Sequence, residues 1–405
     1  MGMKKALFAL LLGGLGIGTT EFVMMGLLPD IALNLDITIP EAGHLISAYA
    51  LGVVIGAPLL VILANGHPPK KILIGLMIMF TVFNALSGLA PGYISLFAIR
   101  LLAGLPHGAF FGVGAVVASR LADKGKEAQA VSVMFAGLTI ANIIGVPIGT
   151  YLGHHLSWRY TFVLIGIIGL VTLLSLKLWM PKIENDNKSD IKDQLVFFKR
   201  KEAWLIIITN AIGTGGLFCW ISYIAPLLTE VSKFSMDQVP YILSIAGLGM
   251  LAGNIVGGRL ADRFSPSKAS MLLLIIMAIS LVFVSLFSWN KGASIVLTFV
   301  TGALSFALAA PIQMLMIQTA KGAEMIAAAV AQACFNVGNA LGAYLGGLPL
   351  VAGYAYTAPE WVGVIMALTG AASMGVFIYF SNSKSTIVTT DSTDSDISAK
   401  VYSVH

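Results

Sequence analysis

Charge is scarce in this chain: Asp, Glu, Lys and Arg together make up 11% of 405 residues, while apolar types make up 57%. Soluble domains carry roughly twice that share of charge, so a water-soluble enzyme or scaffold is excluded at the outset. Cysteine is rarer still. Cys219 and Cys334 are the whole complement, which rules out a disulfide framework. Both lie in apolar runs, where a small apolar filler is the expected role. There is no Gly-x-x-x-x-Gly-Lys-Ser/Thr phosphate loop, so the chain does not bind ATP as a primary pump does. A Gly-x-Ser-x-Gly elbow and a His-Glu-x-x-His pair are also missing, and with them the motifs of two large hydrolase classes. Gly14-Leu15-Gly16-Ile17-Gly18 lies inside an apolar run and reads as helix packing rather than a dinucleotide loop. His154 and His155 are adjacent, and neighbouring side chains on a helix point to different faces, so no metal or other cofactor is expected.

What remains is a chain built for lipid. The mean hydropathy is +0.89. At about 20 apolar residues per crossing, candidate spans begin near Leu7, Ile46, Ile72, Ile94, Val131, Tyr160, Trp204, Tyr241, Ala269, Ser294, Ile326 and Trp361. The fold class expected is therefore all-α and polytopic, with twelve transmembrane helices. Lys4-Lys5 before an apolar run imitates a signal peptide, but the run continues to Leu28 without a small-residue cleavage signal and reads as the first span.

The formal net charge of +5 matters less than its distribution. With the N-terminus placed inside the cell, the inner loops collect Lys4, Lys5, Lys70, Lys71, Arg120, Lys124, Arg200, Arg259, Arg263 and Lys268, among others, whereas the outer loops hold Arg159, Lys233 and Lys291. This sorting predicts cytoplasmic termini at both ends. It also turns the basic balance away from nucleic acid and toward a lipid bilayer as the partner surface.

A shift of 197 residues lays the chain on itself: Pro29 on Pro226, Gly52 and Gly56 on Gly249 and Gly253, and Asn142, Gly145 and Gly149 on Asn339, Gly342 and Gly346. An internal repeat through membrane spans is the mark of transporters whose two halves enclose a central site. The expected divisions are a six-helix bundle at 1–180, a charged cytoplasmic linker at 181–203, a second bundle at 204–381 and a disordered tail at 382–405. The halves also differ. Glu21 lies opposite Phe218 and Arg100 opposite Leu297, so buried charge is expected in the first half only.

An ionisable group within a span faces a cavity, pairs with an opposite charge or holds a proton. Glu21 stands seven residues before Leu28 and Arg100 six after Ile94, depths of about 10 Å each at 1.5 Å per residue. They are expected to face one another or a shared cavity, with Glu21 as the proton carrier. His107 lies on the same helical stripe as Arg100 and Gly104; proton relay and satisfaction of carbonyls freed by Pro106 are equal readings. Trp220 and Tyr223 in the seventh span, with Gln332 and Asn336 in the eleventh, are the candidate substrate-cavity residues.

Three stretches resemble a known family: Thr20-Glu21-Phe22-Val23-Met24-Met25-Gly26, Arg100-Leu101-Leu102-Ala103-Gly104-Leu105-Pro106-His107-Gly108, and Ser157-Trp158-Arg159-Tyr160-Thr161-Phe162. They are similar to the major facilitator superfamily, in its drug and sugar efflux branch. The resemblance implies two pseudo-symmetric six-helix bundles and links Arg100 and Gly104 to proton transfer. It finds the fifth-span antiporter motif in Gly145, Pro147 and Gly149, with Val146 inserted in the usual Gly-Pro pair. It also implies an inner-gate motif at Gly258, Asp262 and Arg263, where Asp262 caps a helix and pairs with an Arg. The matching loop of the first half, Asn65-Gly66-His67-Pro68-Pro69-Lys70-Lys71, lacks the acid.

The expected function is thus a proton-coupled antiporter in a bacterial cytoplasmic membrane. It exports a small organic solute, sugar or drug-like, as a monomer, with the proton gradient as its energy source. The alternatives are a symporter or uniporter for uptake and, from another class, a membrane solute sensor that transports nothing.

Overall fold

The computed structural model describes the backbone of residues 2–63, 66–124, 127–182, 199–320 and 324–401. Among these residues there is no strand. Eleven helices are long and apolar enough to cross a membrane. In the first half these are α1 (Gly2–Leu35), α2 (Ile39–Leu63), α3 (Pro69–Leu89), α4 (Tyr93–Leu121), α5 (Ala130–His155) and α6 (Trp158–Trp179). The second half contributes α7 (Lys201–Ser222), α8 (Val239–Arg263), α9 (Pro266–Phe287), α10 (Lys291–Thr319) and α12 (Ala358–Val401). Between the last two lies α11 (Glu324–Val351), whose 28 residues reach about 42 Å at 1.5 Å per residue and make the twelfth crossing. The expected linker falls largely on 183–198, outside the described residues.

Helix starts follow local chemistry. Pro69 and Pro266 open α3 and α9, where a missing N–H costs nothing. Asn290 accepts from the Ala293 N–H at 3.0 Å to cap α10. Inside α5, residues Ala141–Gly145 form a π turn immediately before Val146-Pro147. Pro147 has no N–H to give and its ring crowds the carbonyl four residues back, so the ladder loosens there.

The 197-residue repeat reappears as packing. In the first half α2 packs on α4, α3 on α6 and α1 on α5; in the second, α8 packs on α10, α9 on α12 and α7 on α11. Across the seam α2 meets α11 and α8 meets α5, a relation that maps onto itself when the halves are exchanged. The repeated glycines explain the close pairs. A Cβ on Gly52 would collide with the Leu101 carbonyl, and one on Gly253 with the Ala303 carbonyl. In lipid, where apolar surfaces gain little from meeting one another, such backbone approach is a main source of helix association. Large apolar side chains such as Leu170, Ile255 and Phe283 lie exposed on the outer surface, as lipid requires. Cys219 and Cys334 are free and buried.

α12 keeps helical backbone to Val401, although its membrane-competent part ends at Ser381 and disorder is expected from 382. Side chains beyond Ser381 lie outside the described residues.

Candidate functional site

The centre of the molecule is set by one turn of α1. Thr19, Thr20 and Glu21 are all buried, and α5 is pressed against them because Gly145 and Gly149 leave no room for a Cβ beside Thr19 and Val23. Those two glycines and the buried Pro147 therefore serve helix contact at the level of the polar turn.

Arg100 of α4 is fully buried and does not pair with Glu21. Its guanidinium donates to the Thr20 hydroxyl at 2.8 Å and to the Thr20 carbonyl at 3.1 Å. The Thr20 hydroxyl in turn donates to the Asn84 side-chain carbonyl on α3, and the Asn84 amide donates to the Phe80 carbonyl at 2.8 Å. The guanidinium also lies 4.3 Å from the centre of the Tyr49 ring and 5.5 Å from that of Phe162, where the aromatic faces balance part of its charge. The Tyr49 hydroxyl meets His107 Nδ1 at 3.2 Å. The partner of His107 Nδ1 is thus a hydroxyl rather than a carbonyl freed by Pro106. Gly104 makes this possible, since a Cβ there would strike the Tyr49 carbonyl. Asn84, Thr20, Arg100, Tyr49 and His107 form one buried network across α1 to α4, with Arg100 Nε left without a partner among the described residues.

Glu21 turns the other way, toward the second half. Its carboxylate accepts from the Asn339 amide of α11 at 3.5 Å. α1 runs on to Leu35, so Glu21 lies 14 residues, about 21 Å, from the helix end, near the middle of α1. Polar Pro29-Asp30 interrupts the apolar run without ending the helix.

The two halves are closed together from this level to the side where the α1–α2 connection lies. Phe22 stacks on Phe218 at 6.5 Å and meets Phe306 at 6.3 Å. The Ser47 hydroxyl donates to the Ala340 carbonyl at 2.9 Å, His44 lies 5.6 Å from Tyr344, and Tyr223 donates to the Ala343 carbonyl with its ring against Gly43 and Gly347. A small cavity remains between the halves, lined by Phe22, Met25, Asn142, Ile221, Leu243 and Met250 among others.

The expected substrate residues divide accordingly. Trp220 is fully buried, and Tyr223 holds the closed seam. Gln332 is half-buried, and its carbonyl accepts from the Asn336 amide one turn on at 3.1 Å, with Asn336 Oδ1 buried and unpartnered among the described residues. Of the inner-gate motif, the Asp262 side chain lies outside the described residues. Arg263 rests over the Phe264 ring at 5.9 Å, a Cβ on Gly258 would meet open space, and the adjoining N-terminus of α9 is capped by Ser265. On the first half Lys70 donates to the Lys177 carbonyl at 3.0 Å and to the Met180 carbonyl, tying its loop to the end of α6 without an acid.

Buried charge is not confined to the first half. Glu360, in the first turn of α12, is 1% exposed, with one carboxylate oxygen unpartnered among the described residues. The span expected to begin near Trp361 starts at Ala358 and so includes Glu360. Thr20, Asn84 and Tyr49 were also passed over, although Asn84 is a lone amide in an apolar run and carries that signal openly. His154 and His155, expected to diverge, are instead brought together: α5 ends at His155, and the two rings meet edge-on at 5.4 Å.

A twelve-helix membrane protein of two equivalent halves, closed at one side over a polar centre, is a secondary transporter in architecture. Comparison with known sequences agrees. Residues 10–343 match the Major Facilitator Superfamily, and the chain belongs to that family. AraJ of Escherichia coli strain K12, named as a transporter, is 40% identical over 94% of this chain and 96% of its own. The inner membrane transport protein YdhP of the same strain is 40% identical over 93% of this chain and 96% of its own. A chloramphenicol resistance protein of Streptomyces lividans is 30% identical over 86% and 88%. Among solved structures a D-xylose-proton symporter superposes with a TM-score of 0.71 at 18% identity, covering 92% of this chain and 97% of its own, which establishes the fold. The protein is therefore a multi-pass membrane transporter, not an enzyme, and is homologous to bacterial inner-membrane transporters.

Proposed function

We propose that the protein is a proton-coupled antiporter that exports a small organic solute, with Glu21 as the proton carrier. The observation that carries this reading is the placement of Glu21: a buried mid-helix carboxylate on the seam, bonded across it to Asn339 and one residue from the Arg100 network. A carboxyl group so placed changes surroundings whenever the halves part. Facing an aqueous opening it exchanges a proton; sealed against Asn339 it does not. The carrier passes through its closed middle with either a proton on Glu21 or solute between the halves, and this exclusivity couples the two flows.

Arg100 positions the site. Anchored on Thr20, it fixes the turn of α1 that carries Glu21 and keeps a permanent positive charge nearby. Tyr49 and His107 extend the network toward α4 and offer a relay path. The residues that line the small cavity, Phe22, Met25, Ile221 and Met250 with Asn142 among them, would present a mostly apolar wall to a solute once the halves part. The names of relatives, including the chloramphenicol resistance protein, favour export. The distribution of basic residues over the loops favours cytoplasmic termini at both ends and a closed side that faces outward, and the working unit proposed is a monomer.

The test is a panel of labelled sugars and amphipathic drugs in inside-out vesicles. An imposed gradient, acid inside, should drive accumulation of at least one solute, and dissipating it should release that solute. Accumulation under the reversed gradient would instead make the protein a symporter.

A further inference from the structure

The closed side carries a cluster that the transport reading does not use. At the end of α5, His154 Nε2 lies 3.7 Å and His155 Nε2 3.6 Å from the same oxygen of Asp237. All three donor atoms lie within 4.8 Å of one another. Asp237 belongs to the second half, in the short turn Met236–Gln238 before α8, whose start is pinned by the Ser235 N–H bonding to Gln238 at 3.1 Å. The histidines belong to the first half.

Each ring is held in place from behind. His154 Nδ1 meets the Asp30 carboxylate of α1 at 3.0 Å. With that nitrogen donating to Asp30, the Nε2 lone pair is left facing Asp237. The His155 ring stacks on Tyr151 at 4.0 Å. A lone pair and a carboxylate oxygen directed at one another repel unless a cation stands between them, and this arrangement joins the two halves of the transporter.

We infer that His154, His155 and Asp237 form a divalent transition-metal site that bridges the halves, with Asp30 orienting His154. Imidazole nitrogen and carboxylate oxygen bind Zn²⁺, Co²⁺ or Ni²⁺ at about 2.0–2.2 Å, which makes the edge of a tetrahedral site about 3.4 Å. Both His–Asp separations are close to that edge, and the His–His separation needs a modest ring rotation. The fourth position is open to water, since Asp237 is 68% exposed. The partly buried hydrogen bond from His154 to Asp30 is the kind of outer-shell contact by which proteins fix the tautomer of a metal-ligating histidine. Because its ligands come from both halves, the site exists only while this side is closed. Metal bound there stabilises the closed state and slows transport.

The inference is independent of proton coupling and is tested by binding. Tag-free protein in detergent is titrated with Co²⁺, whose visible absorption reports tetrahedral coordination, and Zn²⁺ is then added as competitor. The native protein is expected to bind one Co²⁺ with a tetrahedral band that Zn²⁺ abolishes. Asp237→Asn and His155→Ala should lose the band while keeping native elution and helicity, and Asp30→Asn should weaken binding by about 10–100-fold. Absence of a band in native protein, as expected if the three groups are bridged by protons alone, overturns the inference. So does an Asp237→Asn variant that binds Co²⁺ as tightly as native.

Discussion

Asn339 donates its side-chain amide to the carboxylate of Glu21 across the seam between the two halves, at 3.5 Å. This bond joins the residue proposed to carry the proton to the half that must move away from it. At this length it is worth about 1 kcal/mol, the usual net value of a neutral hydrogen bond, or roughly fivefold in a two-state equilibrium. Asn339→Ala should lower the closed population by that factor. Spin labels at positions 44 and 344, where two rings now lie 5.6 Å apart, would show a smaller short-distance fraction; an unchanged fraction would remove the bond from the account.

Arg100 is held by a two-point contact to Thr20 and by the Tyr49 face. Lysine keeps the charge but cannot fork to both oxygens. Arg100→Lys should therefore cost about 1.5–3 kcal/mol in unfolding, the value of a hydrogen bond to a charged group, and lower coupled transport at least tenfold. Thermal unfolding in detergent and vesicle uptake check the two effects separately.

Much of this was legible in the sequence, for reasons that differ between residues. The 197-residue repeat foretold two halves of like architecture, and since glycine at a backbone contact is hard to replace, glycines such as Gly52 and Gly253 recur at matching contacts. Glu21 and Arg100 were visible because charge in lipid is costly wherever it points. Their partners were not visible, since which face a side chain takes depends on helix rotation and on the true end of the helix. α1 continues past Pro29 to Leu35, which puts Glu21 near the middle of the helix, and Arg100 found Thr20 rather than its carboxylate. His154 and His155 misled for a related reason: the rule that neighbours diverge assumes a helix that continues, and α5 stops at His155.

The glycines offer a controlled contrast. A Cβ at Gly253 would collide with the Ala303 carbonyl, whereas one at Gly258 meets open space, although Gly258 belongs to the recognised motif. Gly253→Ala should destabilise by about 1–3 kcal/mol through overpacking against backbone, and Gly258→Ala should leave unfolding within about 0.5 kcal/mol of native. Equal effects in thermal unfolding would mean that packing at α8 against α10 is not the reason for the repeat.

Glu360 is as deeply buried as Glu21 but sits at the start of α12, which packs on α7 and α9 within the second half. Burial alone does not make a coupling residue; position on the seam does. Glu360→Gln should keep gradient-driven transport within about twofold of native at equal expression, a bound of roughly 0.4 kcal/mol in transition-state free energy. A full loss of coupling in this variant would place a second proton carrier in the second half.

The central claim is that Glu21 carries the proton while solute binds elsewhere in the cavity. Its most direct test separates coupling from carriage in one variant, Glu21→Gln, reconstituted in inside-out vesicles. The account predicts that this variant loses accumulation driven by a pH gradient yet still exchanges labelled for unlabelled solute at a rate near native. Gradient-driven accumulation at the native level in Glu21→Gln would contradict it.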